Sequence, residues 1–222
     1  MQPVCRAAAG IVLAGGSAQR LAKVLQATDG GKASLVFQGR TFLEHVVGAV
    51  ATEVAKVIVV AAPGQRLPAL GGVRIVNDAT PNSGPLAGIR DGLRAAWPVD
   101  RGDAPSPGLA FVASCDLPLL RREVVRSLIA VAGESDALWT VPVVHGHRQV
   151  LVSVMRFDLL PWIDAWLATG RRDLRGLLDE IAYTDPARIR EVTEQELVAH
   201  DPALVSFVDI DTPEDLAQLQ SR

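Results

Sequence analysis

The stretch Ala9-Gly10-Ile11-Val12-Leu13-Ala14-Gly15-Gly16-Ser17-Ala18-Gln19-Arg20 carries a continuous apolar run into two glycines and then a basic side chain. A run without polar alternation predicts a strand covered on both faces, as in a parallel sheet. Three further runs repeat the pattern: 57–61 ending at Pro63-Gly64, 74–76 ending at Asn77-Asp78, and 109–113 running into Ser114-Cys115-Asp116. Helical periodicity fills the intervals at 41–54, 84–96 and 121–132, and recurs at 158–167. The alternation predicts an α/β fold, three-layered and doubly wound around a mostly parallel sheet, with right-handed crossovers. In the second half, 137–144 and 149–155 read as two strands joined by a turn around Gly146, a small antiparallel addition to the sheet. The segment 211–220 reads as a helix with Thr212 as N-cap, Pro213 at the first helical position, and Glu214 and Asp215 in the first turn. The polar, Pro/Gly-rich stretch 100–108 reads as a surface loop, no internal repeat is visible, and residues 1–222 are expected to form a single domain.

Bulk properties exclude several classes. With 49% hydrophobic and 21% charged residues the chain can build a sizeable core, which argues against disorder. A net charge of -3, from 22 basic and 25 acidic residues, argues against a nucleic-acid binder, which needs a basic face to displace counterions. The two cysteines, Cys5 and Cys115, lack metal-ligand spacing and read as reduced thiols. The N-terminal apolar run has no signal-peptide pattern and is far short of the roughly 20 residues a membrane span needs, so the expectation is a cytoplasmic protein.

Four places carry candidate chemistry. Gly15 and Gly16 admit a close approach of backbone amides to phosphate, with Ser17 beside them and Arg20 and Lys32 adding positive charge; the alternative is an ordinary tight turn. Asp116, just beyond a buried strand, is a hard oxygen ligand suited to Mg²⁺ on the edge where open α/β sheets bind ligands, or else a cap for the helix near Arg121. Asn77-Asp78 followed by Gly84-Pro85-Leu86-Ala87-Gly88-Ile89 reads as a polar strand end leading into a helix start. Asp209 and Asp211 alternate onto one face and suit a metal or an acceptor, unless they serve only the following helix. The His145-Gly146-His147 turn has no accompanying ligand cluster, and no Ser/His/Asp or Cys/His arrangement is apparent.

The order of these motifs resembles the MobA-type molybdenum cofactor guanylyltransferases, within the wider sugar-nucleotide-type nucleotidyltransferase fold. Leu-Ala-Gly-Gly, a following lysine, Gly-Pro-Leu-Ala-Gly-Ile, Cys-Asp-Leu-Pro and Asp-Ile-Asp-Thr-Pro-Glu-Asp-Leu extend the resemblance over nearly the whole chain. The resemblance implies Mg²⁺-dependent transfer of GMP from GTP to molybdopterin, with pyrophosphate leaving. It places Leu13, Ala14 and Gly15 against the nucleotide through their backbone, Gly16 to Arg20 around the phosphates, Lys32 as the phosphate-binding lysine, and Asp78, Gly84 and Pro85 on the nucleotide. Asp116 would hold Mg²⁺, Arg20 and Lys32 would act in catalysis, and Asp209 and Asp211 would face the acceptor.

The chain departs from the family at 23–29, an apparent insertion that leaves Lys23 as a competitor of Lys32. It departs again at Ala61-Ala62-Pro63, where the family often has an asparagine, and at the aspartates of the terminal motif. A cytidylyltransferase of the same fold and a non-catalytic nucleotide-binding module are the alternatives. A dinucleotide-dependent oxidoreductase lacks its glycine fingerprint here.

Overall fold

A computed structural model describes residues 8–15, 30–79, 84–97 and 108–220. In chain order these form β1 (Ala9–Leu13), β2 (Val36–Phe37), β3 (Arg40–Thr41), α1 (Phe42–Ala51), β4 (Lys56–Ala61), β5 (Val73–Asn77), α2 (Pro85–Ala96), β6 (Leu109–Ser114) and α3 (Arg122–Gly133). Then follow β7 (Trp139–Val144), β8 (His147–Arg148), β9 (Val152–Arg156), α4 (Leu160–Ala168), α5 (Leu174–Thr184), β10 (Ile189–Val192), α6 (Glu194–Leu197) and α7 (Pro213–Gln220).

The main sheet has the order β10-β7-β9-β6-β1-β4-β5, with β8 paired to β7. β1 lies between β4 and β6, parallel to both, and Leu13 registers with Val60 on one side and Ser114 on the other. Every residue of β1 is buried, which is why its sequence shows no alternation. Its side chains nevertheless divide by face. Val12, Val57, Val59 and Phe111 pack with α1 and α3, whereas Ile11, Leu13, Ile58, Val60 and Val112 pack with α2, α4 and α5. Glycines set how closely the helices approach: a Cβ on Gly92 of α2 would lie 2.6 Å from Ile11 Cγ2, and one on Gly10 would strike Val50 of α1.

The expected α/β architecture is present with its antiparallel pair in the second half, and that pair is built into the main sheet. β9 runs antiparallel between β6 and β7, so it lies inside the sheet. The Gly146 turn joins β7 to its antiparallel partner, which pairs with β7 first through the two-residue β8 and then, after 149–151, through β9 from Val152. His145 and Gly146 both have positive φ there, 51° and 74°, as a tight hairpin turn demands. The helix α5 was not anticipated, although Leu174, Leu177, Leu178 and Ile181 are all buried at helical spacing. Thr212 caps α7 as expected: its Oγ1 accepts from Asp215 N at 3.2 Å while Asp215 Oδ2 accepts from Thr212 N at 2.8 Å. Among the described residues no helix is long and apolar enough to cross a membrane.

Candidate active site

The site forms where β1, β4, β5 and β6 end. Cys115 N donates to Leu13 O at 3.0 Å, so the β1–β6 pairing continues one step past the strand and holds Asp116 at the edge. Burial pushes the Cys115 thiol up to about 12, with the neighbouring Asp116 carboxylate adding to the effect, so the thiol stays protonated and serves as packing.

Lys32 stands on a single 3-10 turn, Gly31–Ser34, whose Ala33 is fully buried. Its ammonium donates to Asp116 Oδ2 at 3.1 Å and also to Asp211 Oδ1. Three sequence-distant elements therefore converge on one charge. Burial works against the ammonium, but the hydrogen bond to Asp211 and the charges of both aspartates outweigh it, so the Lys32 pKa lies above its ordinary value. Asp209 belongs to the same cluster: burial first, then the Asp211 and Asp116 carboxylates, raise its pKa above the usual range.

The segment 209–211 is fixed between the two aspartates. Ile210 is 2% exposed and packs with Phe37, Phe42, Leu216 and Leu219, while its N–H donates to Asp116 O at 3.0 Å. Alternation then turns Asp209 and Asp211 away from that apolar cluster. The helix-capping alternative for these aspartates falls to Thr212 and Asp215, which leaves the Asp211 carboxylate for Lys32. Asp116 does not cap α3 either; Arg121 occupies the N-cap position with no side-chain cap bond.

The remaining sequence candidates distribute as follows. Leu13 and Ala14 are buried at the end of β1, and Ala14 N donates to Val60 O at 2.8 Å, so that amide is already engaged. Gly15 is exposed, its N–H 3.4 Å from the same carbonyl. Asp78 follows β5 with its N–H on Ala61 O at 2.8 Å. Asp91 of α2 accepts from Ala79 N at 2.8 Å and ties that loop to the helix. Gly84 precedes Pro85 at the start of α2 with φ 78°, a conformation suited to glycine. Gly16, Ser17, Arg20 and the stretch 23–29 with Lys23 lie outside the described residues. His145 is remote from this chemistry, its ring 3.5 Å from Glu194.

Sequence reasoning missed Gln65. Its side-chain amide donates to Ala14 O at 2.9 Å and Gly30 O at 2.8 Å and accepts from Ala62 N at 3.0 Å. A lone glutamine after Pro63-Gly64 carries no local signal for this.

Among the described residues no group of three histidine, cysteine or carboxylate side chains is arranged to hold a metal unaided. Asp116 and Asp211 both direct oxygens at the Lys32 ammonium, and a hard divalent ion such as Mg²⁺ usually takes one or two carboxylates with substrate phosphates supplying the rest. Two adjacent carboxylates are donors of the kind such an ion takes together with phosphate oxygens.

Comparison with known proteins agrees with this geometry. Residues 10–186 match the family model for the MobA-like NTP transferase domain. A Mycobacterium avium protein named "Probable molybdenum cofactor guanylyltransferase" is 37% identical over 171 residues, covering 77% of this chain and 80% of its own. The crystal structure of molybdopterin-guanine dinucleotide biosynthesis protein A from Archaeoglobus fulgidus superposes with a TM-score of 0.73 at 18% identity, over 96% of this chain and 97% of that one. The 2-C-methyl-D-erythritol 4-phosphate cytidylyltransferase of Thermus thermophilus shares the fold with a TM-score of 0.66 at 18% identity, over 95% and 96%. The chain belongs to the MobA-like NTP transferase family of nucleotidyltransferases.

Proposed function

We propose that this nucleotidyltransferase moves the GMP group of GTP onto the terminal phosphate of molybdopterin, with Mg²⁺ as the divalent ion and pyrophosphate as the leaving group. The observation that carries the reading is the meeting of Lys32, Asp116 and Asp211 at the end of β6, in a chain 37% identical to a relative named for that reaction. The reaction brings two anions together, so charge neutralisation and alignment provide most of the rate.

Each residue has a defined share. Lys32, with a raised pKa, remains an ammonium through the neutral range and offers fixed positive charge to the α-phosphate and the departing pyrophosphate. Arg20 adds a second positive charge, and Gly15, Gly16 and Ser17 offer backbone amides to the phosphates. Leu13 and Ala14 form the floor beneath the nucleotide, with Asp78, Gly84 and Pro85 on its nucleoside side. Asp209 and Asp211 face the acceptor. Asp116, with Asp211 beside it, would hold the Mg²⁺, which supplies Lewis-acid stabilisation of phosphate oxygens when bound. A phosphate-monoester nucleophile is already largely ionised near neutral pH, so the chain need supply neither a nucleophile nor a strong base.

Pyrophosphate release with molybdopterin as acceptor tests the reading, run with GTP, CTP, UTP and ATP in turn. Release with GTP in preference to the other three is expected. Preferential use of CTP would replace the guanylyl assignment by a cytidylyl one, and release with no nucleotide would overturn the proposal.

A further inference from the structure

Gln65 is the residue of this edge that the proposed mechanism leaves unused, and its amide is fully committed. Both Nε2 hydrogens are spent on main-chain carbonyls, Ala14 O at 2.9 Å and Gly30 O at 2.8 Å. Oε1 accepts from Ala62 N at 3.0 Å, and Gln65 N donates to Ala62 O at 3.1 Å, so the amide is anchored to the end of β4. The two carbonyls stand 16 positions apart, residues 14 and 30, at the two ends of the glycine-containing stretch. Two carbonyl oxygens repel each other when brought side by side; one NH₂ group between them turns that repulsion into two hydrogen bonds.

Gly30 leads directly into the turn that carries Lys32, and a Cβ at Gly30 would lie 2.6 Å from Arg66 O. The end of the stretch therefore runs in contact with the same 65–66 segment. We infer that Gln65 is a positioning residue: it fixes the separation between the main chain at Ala14 and at Gly30 and, through Gly30, sets Lys32 against Asp116 and Asp211. The inference rests on the nucleotidyl-transfer reading for its consequence in turnover, but not for the placement of Lys32. Asparagine is one methylene too short to bond both carbonyls from the same backbone. Glutamate would oppose them with oxygen, and methionine keeps the volume without the donors.

The test uses Gln65→Met and Gln65→Glu in the full chain. Acetic anhydride labelling followed by mass spectrometry gives the acetylation rate of Lys32 relative to Lys56. Lys56 begins β4 at the opposite edge of the sheet, where its ammonium bonds Ala96 O. Because loss of two hydrogen bonds is worth about a tenfold change in an equilibrium, the Lys32-to-Lys56 rate ratio is expected to rise about tenfold. KM for the nucleotide should rise by a similar factor of about ten, with a smaller change in kcat. In a double-mutant cycle, Gln65→Met should add little to the loss caused by Lys32→Ala. An unchanged labelling ratio, or fully additive losses, would overturn the inference. If Gln65→Met unfolds, seen as fast labelling of Lys56 as well, Gln65→Asn decides by the same ratio. A parent protein without turnover would overturn the function proposed above and leave the labelling result to judge Gln65.

Discussion

Ile210 donates its main-chain N–H to the carbonyl oxygen of Asp116 across 3.0 Å. This bond joins the 209–211 segment to the turn after β6, so the two carboxylates that hold Lys32 are fixed to one another through backbone. Acidic residues 95 positions apart in the sequence, Asp116 and Asp211, are thereby tied into one unit.

Asp211→Ala should therefore impair the site without unfolding the protein. Asp211 is 39% exposed, and α7 keeps its Thr212–Asp215 cap. Lys32 would retain only Asp116, and kcat/KM in the pyrophosphate-release assay should fall about 10- to 100-fold. The melting temperature should move little. Full activity in this variant would remove Asp211 from the site.

Asp116→Asn keeps the side-chain size and removes the charge closest to β6. Mn²⁺ binding, followed by electron paramagnetic resonance without substrate acceptor, should weaken strongly. Turnover should drop at least about 100-fold. Undiminished Mn²⁺ affinity would place the cation elsewhere.

Stability should fall in acid partly through Glu53. This carboxylate is 2% exposed just after α1, and Arg126 of α3 grips it through two bonds of 2.9 Å. The Arg126 guanidinium holds its pKa below the ordinary 4.5. A lowered folded-state pKa means that the stabilisation is fully present above 4.5 and is lost as pH falls through the lower folded value. Urea titrations should show Glu53→Gln well below the parent near neutral pH, and the gap should narrow as the pH is lowered past that value. A gap constant across the range would contradict the assignment.

The contact between α1 and β1 predicts a packing defect at a glycine. A Cβ on Gly10 would collide with Val50, whose branched side chain is fully buried and has nowhere to move. Gly10→Ala should cost about 1–3 kcal/mol in chemical denaturation. The variant should keep its fold, because β1 is otherwise paired along its length on both sides.

Sequence legibility followed burial. β1, β4 and β6 are covered on both faces, so their unbroken apolar runs reported them nearly to the residue. β8 has two residues and β2 and β3 two each, too short for any period to register. The placement of β9 inside the sheet depends on which strand it meets, which its own sequence does not encode. α5 differs, since Leu174, Leu177, Leu178 and Ile181 carry a helical spacing in the sequence itself. At the site, Lys32, Asp116 and Asp211 were legible because each carries a charge at a strand or loop end. Their convergence was not, since it depends on Ile210 being buried among Phe37, Phe42 and Leu216. Gln65 left no trace because its meaning lies wholly in the two carbonyls it meets.

The position of β9 has a consequence for how the molecule assembles. The chain leaves β6, crosses through α3 and forms β7 two strand positions away, and β9 later takes the position between them. β7 forms no ladder with β6, and β9 bonds to both. β7, β8 and β9 form a local antiparallel hairpin, and among the described strands it meets the parallel half through the β6–β9 ladder. That ladder is a seam between a hairpin of local contacts and a sheet that depends on distant crossovers. Backbone amides on its two sides are expected to acquire protection from hydrogen exchange at different times during refolding.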